Sequence, residues 1–200
     1  MRRPLLLLAL ILLLALVAVS RFTPTVKYIE VSGNVHYRAE EVLRLAKLAP
    51  GDPFFWITRQ RLSRLERDPW IQRATVVKRW PDQVSVAVLE RRPAAVMNGQ
   101  AYARDGTLLP GATAEEKAGL TQITGWGEDR SDEAFALLDL LADSGVKVLS
   151  YSPAGFAIEL AQTQLFTPNL AALRANWASF VSQEGTRSYV YPWGVSAAHD

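Results

Sequence analysis

Cysteine is absent from the 200 residues, so no disulfide, thiolate nucleophile or cysteine-ligated metal can be built. Histidine is nearly absent, with His36 and His199 the two present. Neither has a partner at helical spacing, which leaves a metal pair or a histidine-based triad without support. Both read as polar surface residues. The carboxylates Glu115-Glu116, Glu128-Asp129 and Asp132-Glu133 fall in loops or helix first turns, where capping and solvation account for them. Gly125-Trp126-Gly127 lacks the further spaced glycine, and the long apolar strand before it, of a dinucleotide loop. Basic residues are scattered, with no nucleic-acid motif beside them. Enzymatic activity is therefore the weakest class, and no cofactor, metal, small-molecule substrate or nucleic acid is expected.

What is present is divided unevenly. Residues 27 to 93 hold 13 Lys+Arg against 8 Asp+Glu, a balance of +5. Residues 94 to 200 hold 6 against 12, a balance of −6. Two hundred residues suffice for one medium or two small domains. A basic part next to an anchor would suit anionic lipid.

Leu5 to Val19 contains only Leu, Ala, Ile and Val. Fifteen helical residues cover roughly 22 Å, and Pro4 and Ser20 bring the run near the lower limit for a bilayer. Arg2 and Arg3 before it, against Arg21 after it, place the N-terminus in the cytoplasm. Ala18-Val19-Ser20 also resembles a signal cleavage site, so a cleaved leader is the competing reading. Either way the remainder lies outside the cytoplasm. The expected order is a cytoplasmic tail at 1–3, a transmembrane helix at 4–20 and a linker at 21–25.

Val26 to Val31 reads as a strand ending at Ser32-Gly33-Asn34, residues that turn the chain back. Glu40 to Leu48 has helical spacing, with Val42, Leu45 and Ala46 on one stripe and Ala49-Pro50-Gly51 as its stop. A bulky apolar loop, Asp52 to Ile57, precedes a second helix capped by Thr58 and running to Arg67. Asp68-Pro69 ends it. Arg59, Arg61, Arg64 and Arg67 lie off its Leu62/Leu65 stripe, as a solvated face or as a contact for a partner or lipid. Val84, Val86 and Val88 alternate with Ser85 and Ala87, the period of a half-buried strand. The break at Trp80-Pro81-Asp82 pairs it with the preceding run as a hairpin.

Beyond Pro93 short strands follow. Asn98-Gly99 and Asp105-Gly106 are strong hairpin signals. Pro110 to Lys117 reads as loop, and Leu120 to Ile123 as a strand. Ser131 caps a helix striped by Phe135, Leu138 and Leu141 that closes at Gly145. Lys147 to Tyr151 and Phe156 to Ala161 form a hairpin. Thr167-Pro168 opens a helix through Leu173, Trp177 and Phe180 to Gly185. Arg187 to Ala198 reads as a last strand, or as a pair with its turn at Pro192-Trp193-Gly194.

Val31-Ser32-Gly33-Asn34, Asp68-Pro69-Trp70-Ile71, Ala74-x-Val76, Arg79-x-Pro81 and Val88-x-Glu90-Arg91-x-Pro93-Ala94 occur in order. Together they resemble the POTRA (polypeptide-transport-associated) domain of the FtsQ/DivIB family of bacterial cell-division proteins. The marking positions are Gly33, Asn34, Pro69, Trp70, Arg79, Pro81, Glu90 and Pro93. The likeness covers residues 4 to 110 well and the remainder loosely.

The resemblance implies an α+β chain: one transmembrane helix, a β-α-α-β-β POTRA domain at 26–93, then a β-rich domain with two helices at 94–200. It implies a non-enzymatic divisome scaffold at the septum of the cytoplasmic membrane that binds FtsB/DivIC-like and FtsL-like proteins. In the family the last strands hold such partners, which points to Tyr189, Val190, Tyr191, Trp193, Gly194, Val195 and Ala197. Tyr191 and Gly194 match the family's Tyr-x-x-Gly. Its Asp-x-Arg before the tyrosine is replaced by Ser188-Tyr189-Val190, and the lysine early in the preceding helix is missing. Tyr189, Tyr191 and Trp193 can equally close the distal core, since alternation gives each face its own role. The alternatives are a POTRA module for polypeptide transport or envelope assembly, and a secreted, cleaved binding protein.

Overall fold

The computed structural model describes residues 2–22, 24–183 and 185–198. They fall into two compact units, Met1–Arg91 and Arg92–Asp200.

The first unit begins with helix α1 (Arg2–Phe22). Its described side chains, Leu7 to Val19, are all exposed. Among the described residues no helix is long and apolar enough to cross a membrane; the expected span at 4–20 extends over side chains outside them. Then follow β1 (Tyr28–Ser32), α2 (Ala39–Ala46), α3 (Arg59–Leu62), β2 (Ile71–Arg79) and β3 (Gln83–Glu90). The sheet order is β1-β3-β2. β3 is parallel to β1 and antiparallel to β2.

The alternation in β3 explains its central place. Val84, Val86 and Val88 turn inward onto Val42, Ile57, Leu62, Leu65 and Ile71, while Ser85 and Ala87 face outward. α2 starts in a capping box, the Arg38 N–H donating to the Glu41 carboxylate at 3.0 Å. It ends at Lys47 in a left-handed conformation, before the expected Ala49-Pro50-Gly51 stop.

The second helix is a correction. It runs four residues as α3 and gives way to a 3-10 turn at Leu65–Arg67. Leu62 and Leu65, three apart, are both buried, and a 3-10 turn aligns residues at that spacing as well as an α-helix does. Ser63 Oγ bonds back to the Gln60 carbonyl at 2.8 Å, a competitor to helical bonding. Thr58 stands at the cap position without a side-chain cap bond.

The second unit is built on one sheet. Its elements are β4 (Pro93–Met97), β5 (Gln100–Ala103), β6 (Leu108–Leu109), α4 (Ala114–Lys117), β7 (Thr121–Gly125), α5 (Ser131–Leu140), β8 (Val148–Ser152), β9 (Gly155–Glu159), β10 (Gln164–Thr167), α6 (Leu170–Ala175), α7 (Trp177–Val181), β11 (Arg187–Tyr191) and β12 (Gly194–Ala198). The nine strands lie in the order β12-β11-β10-β9-β8-β7-β4-β5-β6. Leu137, Leu141, Leu149, Leu165, Leu173 and Val190 form its buried centre.

The two expected helices here are corrected in number and bounds. Residues 110–117, read as loop, include α4, opened by a Thr113/Glu116 capping box. Ser131 is the first residue of α5, and the Asp129 carboxylate accepts its N–H at 2.9 Å. The next helix is split at Asn176, whose Nδ2 donates to the carbonyls of Ala172 and Tyr191 at 3.1 and 2.9 Å. Its cap is Asn169, not Thr167: Asn169 Oδ1 accepts the Ala172 N–H at 2.8 Å. Thr167 instead ends β10, a strand the sequence reading omits.

Candidate docking surfaces

In the first unit the motif residues converge on one polar lock. Glu90 ends β3 with its carboxylate turned inward, accepting the N–H groups of Val35, His36 and Tyr37 at 2.8, 2.5 and 3.2 Å. A carboxylate taking several main-chain donors is the strong kind of hydrogen bonding. It holds the turn after Gly33, where φ is +79° and an added Cβ would lie 2.1 Å from the Val88 carbonyl oxygen. Glycine alone fits that approach. Asn34 Nδ2 donates to the Tyr37 carbonyl at 2.8 Å.

Trp70 is 1% exposed and stacks on His36 with centroids 3.5 Å apart. This corrects His36 from a polar surface residue to a half-buried member of the lock; His199 lies outside the described residues. Asp68 accepts the Trp70 N–H at 2.9 Å and the Tyr37 hydroxyl at 3.1 Å. Burial, then the charge of Asp68, pushes the Tyr37 phenol up from 10.0 to about 12. Arg91 donates to the carbonyls of Pro69 and Ile71 at 3.0 and 3.1 Å. Arg79 and Pro81 stand apart at the hairpin, around the cis Trp80-Pro81 bond. Pro93 opens β4 in the second unit.

The second unit arranges its last residues differently. Along β11 the side chains alternate, Ser188 and Val190 buried, Arg187 and Tyr191 exposed. Val190, one of the expected docking residues, is fully buried in the core. Tyr189 is half-buried and stacks on Phe166, its register neighbour on β10, at 4.9 Å. Tyr191 stacks on Trp193 at 5.0 Å with rings 2° from parallel, and Trp193 is 82% exposed. The same outer face carries an open groove of about 580 Å³, lined by Trp126, Tyr151, Phe166, Tyr189 and Tyr191 among others. The Tyr151 ring lies over Gly125, where a Cβ would come within 2.0 Å of it. No periodicity signals that seat in the sequence.

β12 pairs with β11 from Arg187↔Ala198 to Tyr191↔Gly194. Among the described residues β12 has no second neighbour, so its outer edge offers main-chain donors and acceptors to an added strand. Gly194, Val195 and Ala197 lie on this strand, all half-buried. Among the described residues no cluster of His, Asp or Glu could hold a metal.

The order of elements and the Glu90 lock make the first unit a POTRA-type domain, and a family model described as "POTRA domain, FtsQ-type" matches residues 25–91. The chain is 31% identical over 133 residues to Cell division protein FtsQ of Geobacter sp. (strain M21), covering 59% of this chain and 48% of that protein. It is 35% identical over 79 residues to Cell division protein DivIB of Geobacillus kaustophilus, covering 38% and 30%. With Cell division protein FtsQ of Escherichia coli (strain K12) it shares 32% over 73 residues, covering 34% and 26%. These matches support the FtsQ/DivIB family of cell-division proteins. It spans about half or less of the length of the curated relatives it matches.

Proposed function

We propose that the chain is a single-pass scaffold of the division machinery, without catalysis of its own, that captures FtsB/DivIC-like and FtsL-like partners at the septum. Residues 1–3 are the cytoplasmic tail, 4–20 the anchor in the cytoplasmic membrane and 21–25 the linker. Residues 26–93 and 94–200 are the POTRA and distal domains outside the cytoplasm.

The observation that carries the docking role is the open edge of β12 beside outward-facing aromatics. A strand added there gains main-chain hydrogen bonds, while side chains on alternate positions read the partner. Tyr191 and Trp193 supply exposed ring area next to that edge, and such rings are common anchors of protein interfaces. The anchor rests on α1, whose 21 residues reach about 31 Å at the helical rise. Its Leu7 to Val19 stretch is exposed on every side, and a helix apolar all round needs cover from lipid or protein.

A chain ending at Trp193 removes β12 but keeps β11 and its buried Ser188 and Val190. Pull-down of an FtsB/FtsL-like pair is expected to be lost with this chain, while its circular dichroism stays folded. Undiminished capture would sink the β12 proposal.

A further inference from the structure

The first unit carries an aromatic and basic surface for which partner docking at β12 has no use. Phe55, Trp56 and Trp80 are exposed by 51%, 41% and 69%. Phe55 and Trp80 are gathered around Phe54, which sits edge-on to Phe55 at 5.9 Å and to Trp80 at 6.0 Å, with Phe55 and Trp80 6.1 Å apart, and Trp56 closes the same short turn as Phe54 and Phe55. Large apolar side chains exposed together mark a contact surface, unlike ones scattered singly.

Cations border this surface. Lys78 Nζ lies 5.2 Å from the Phe54 ring centroid and donates to the Phe54 carbonyl at 3.0 Å. Arg79 precedes Trp80, and exposed Arg59 and Arg64 follow Trp56 within two turns. A cleft of about 510 Å³ opens beside Trp56, lined also by Lys47, Arg61 and Arg64. Its one acid, Asp52, is paired with Arg61 at 2.8 Å, which leaves Lys47 and Arg64 to set its sign.

The backbone decides what this surface faces. The Phe54 N–H donates to the Pro24 carbonyl at 2.9 Å, and Thr25 bridges Pro53. α1 ends at Phe22, and two residues reach at most about 7 Å. The Phe54–Trp56 turn is thus tied within about 10 Å of the foot of the apolar helix. If that helix is embedded, this distance is comparable with the headgroup layer, which adds roughly 5–8 Å to each side of the hydrocarbon. Tryptophan rings favour that layer, and Lys and Arg near it are drawn to anionic lipid.

We infer that the Phe55/Trp56/Trp80 face lies in the headgroup layer of an anionic bilayer, with Arg59, Arg64 and Arg79 against its phosphates. The inference rests on the reading of α1 as a membrane anchor. A protein partner is the competing occupant. The tie to the end of α1 and the +5 balance of residues 27–93 select the bilayer.

The test uses the full chain reconstituted in phosphatidylcholine vesicles with about a third phosphatidylglycerol, enough for a negative surface potential. Flotation reports the anchor, and quenching of tryptophan by headgroup-spin-labelled lipid reports the face. Of the six tryptophans, the Trp56→Phe/Trp80→Phe variant removes two at the proposed face and Trp126→Phe/Trp193→Phe removes two in the distal unit. The first variant is expected to lose most of the quenchable emission and the second little of it. Arg59→Gln/Arg64→Gln is expected to lower quenching by up to about thirtyfold, about fivefold for each cation removed from an anionic surface. A chain that floats while both tryptophan variants quench alike overturns the membrane face and leaves the anchor standing. Quenching indifferent to the two arginines overturns it as well. A chain that does not float removes the anchor and, with it, this inference.

Discussion

The two units place their aromatic and polar residues to opposite ends. In the first, Trp70, His36, Tyr37 and Glu90 are drawn together to hold one turn against a three-stranded sheet. In the second, Tyr191 and Trp193 are stacked in the open beside the last strand of a nine-stranded sheet. The turn after Gly33 takes no part in the apolar core of the first unit, so side-chain hydrogen bonds hold it. A long sheet with Leu137, Leu149, Leu165 and Val190 beneath it can leave its outer aromatics uncommitted. The motif residues of the first unit are therefore mostly framework, and the surface proposed for a partner lies in the second unit, where the resemblance is loosest.

That contrast can be broken in steps. Trp70→Ala removes a ring that is 1% exposed and should lower stability by about 4 kcal/mol, read by denaturant unfolding of the detergent-solubilised chain. Glu90→Gln keeps the shape but loses the charge from three main-chain hydrogen bonds. It should cost about 2 kcal/mol, and a loss no larger than that of an exposed glutamate such as Glu30 would deny the lock. Tyr191→Ala with Trp193→Ala should do the reverse, leaving unfolding within about 0.5 kcal/mol of the parent. In a pull-down the same pair should weaken partner capture at least about tenfold. Equal retention would return both rings to a purely structural role.

A further effect is one of pH. The Tyr37 phenol is raised from 10.0 to about 12 in the folded chain, so above pH 10 the unfolded chain releases this proton first. Stability from this group is present below pH 10 and is lost as pH rises towards 12. Tyr37→Phe should flatten that part of the profile, measured by thermal unfolding across the window.

Much of the architecture was legible because it depends on local rules. The alternation of Val84, Val86 and Val88, the Asn98-Gly99 turn and the apolar stripe of α5 each declare their element. What escaped depends on contacts distant in sequence. The break after α3 is the local exception: Leu62 and Leu65 are buried together at a spacing that either helix type permits, so their stripe does not place it. The split at Asn176 follows from a hydrogen bond to Tyr191, fifteen residues on. β10 was missed because four residues between a loop and Thr167-Pro168 carry almost no period. At the docking surface, the strand pair and its turn were readable from Pro192-Trp193-Gly194. The inward turn of Val190 had only its alternation with Tyr189 and Tyr191 as a signal. His36 gave no sign of its place, because its stacking partner lies thirty-four positions away.

The chain just after α1 has one more consequence. The Pro24 carbonyl, Val26 and Lys27 are joined by main-chain hydrogen bonds to Phe54, to Asp52 and Gly51, and to Asp82. These residues are stitched to the domain at three separate points instead of hanging as a loose tether. Such a joint has no slack, so tension applied to the sheet at Asp82 reaches Pro24 without first straightening a coil.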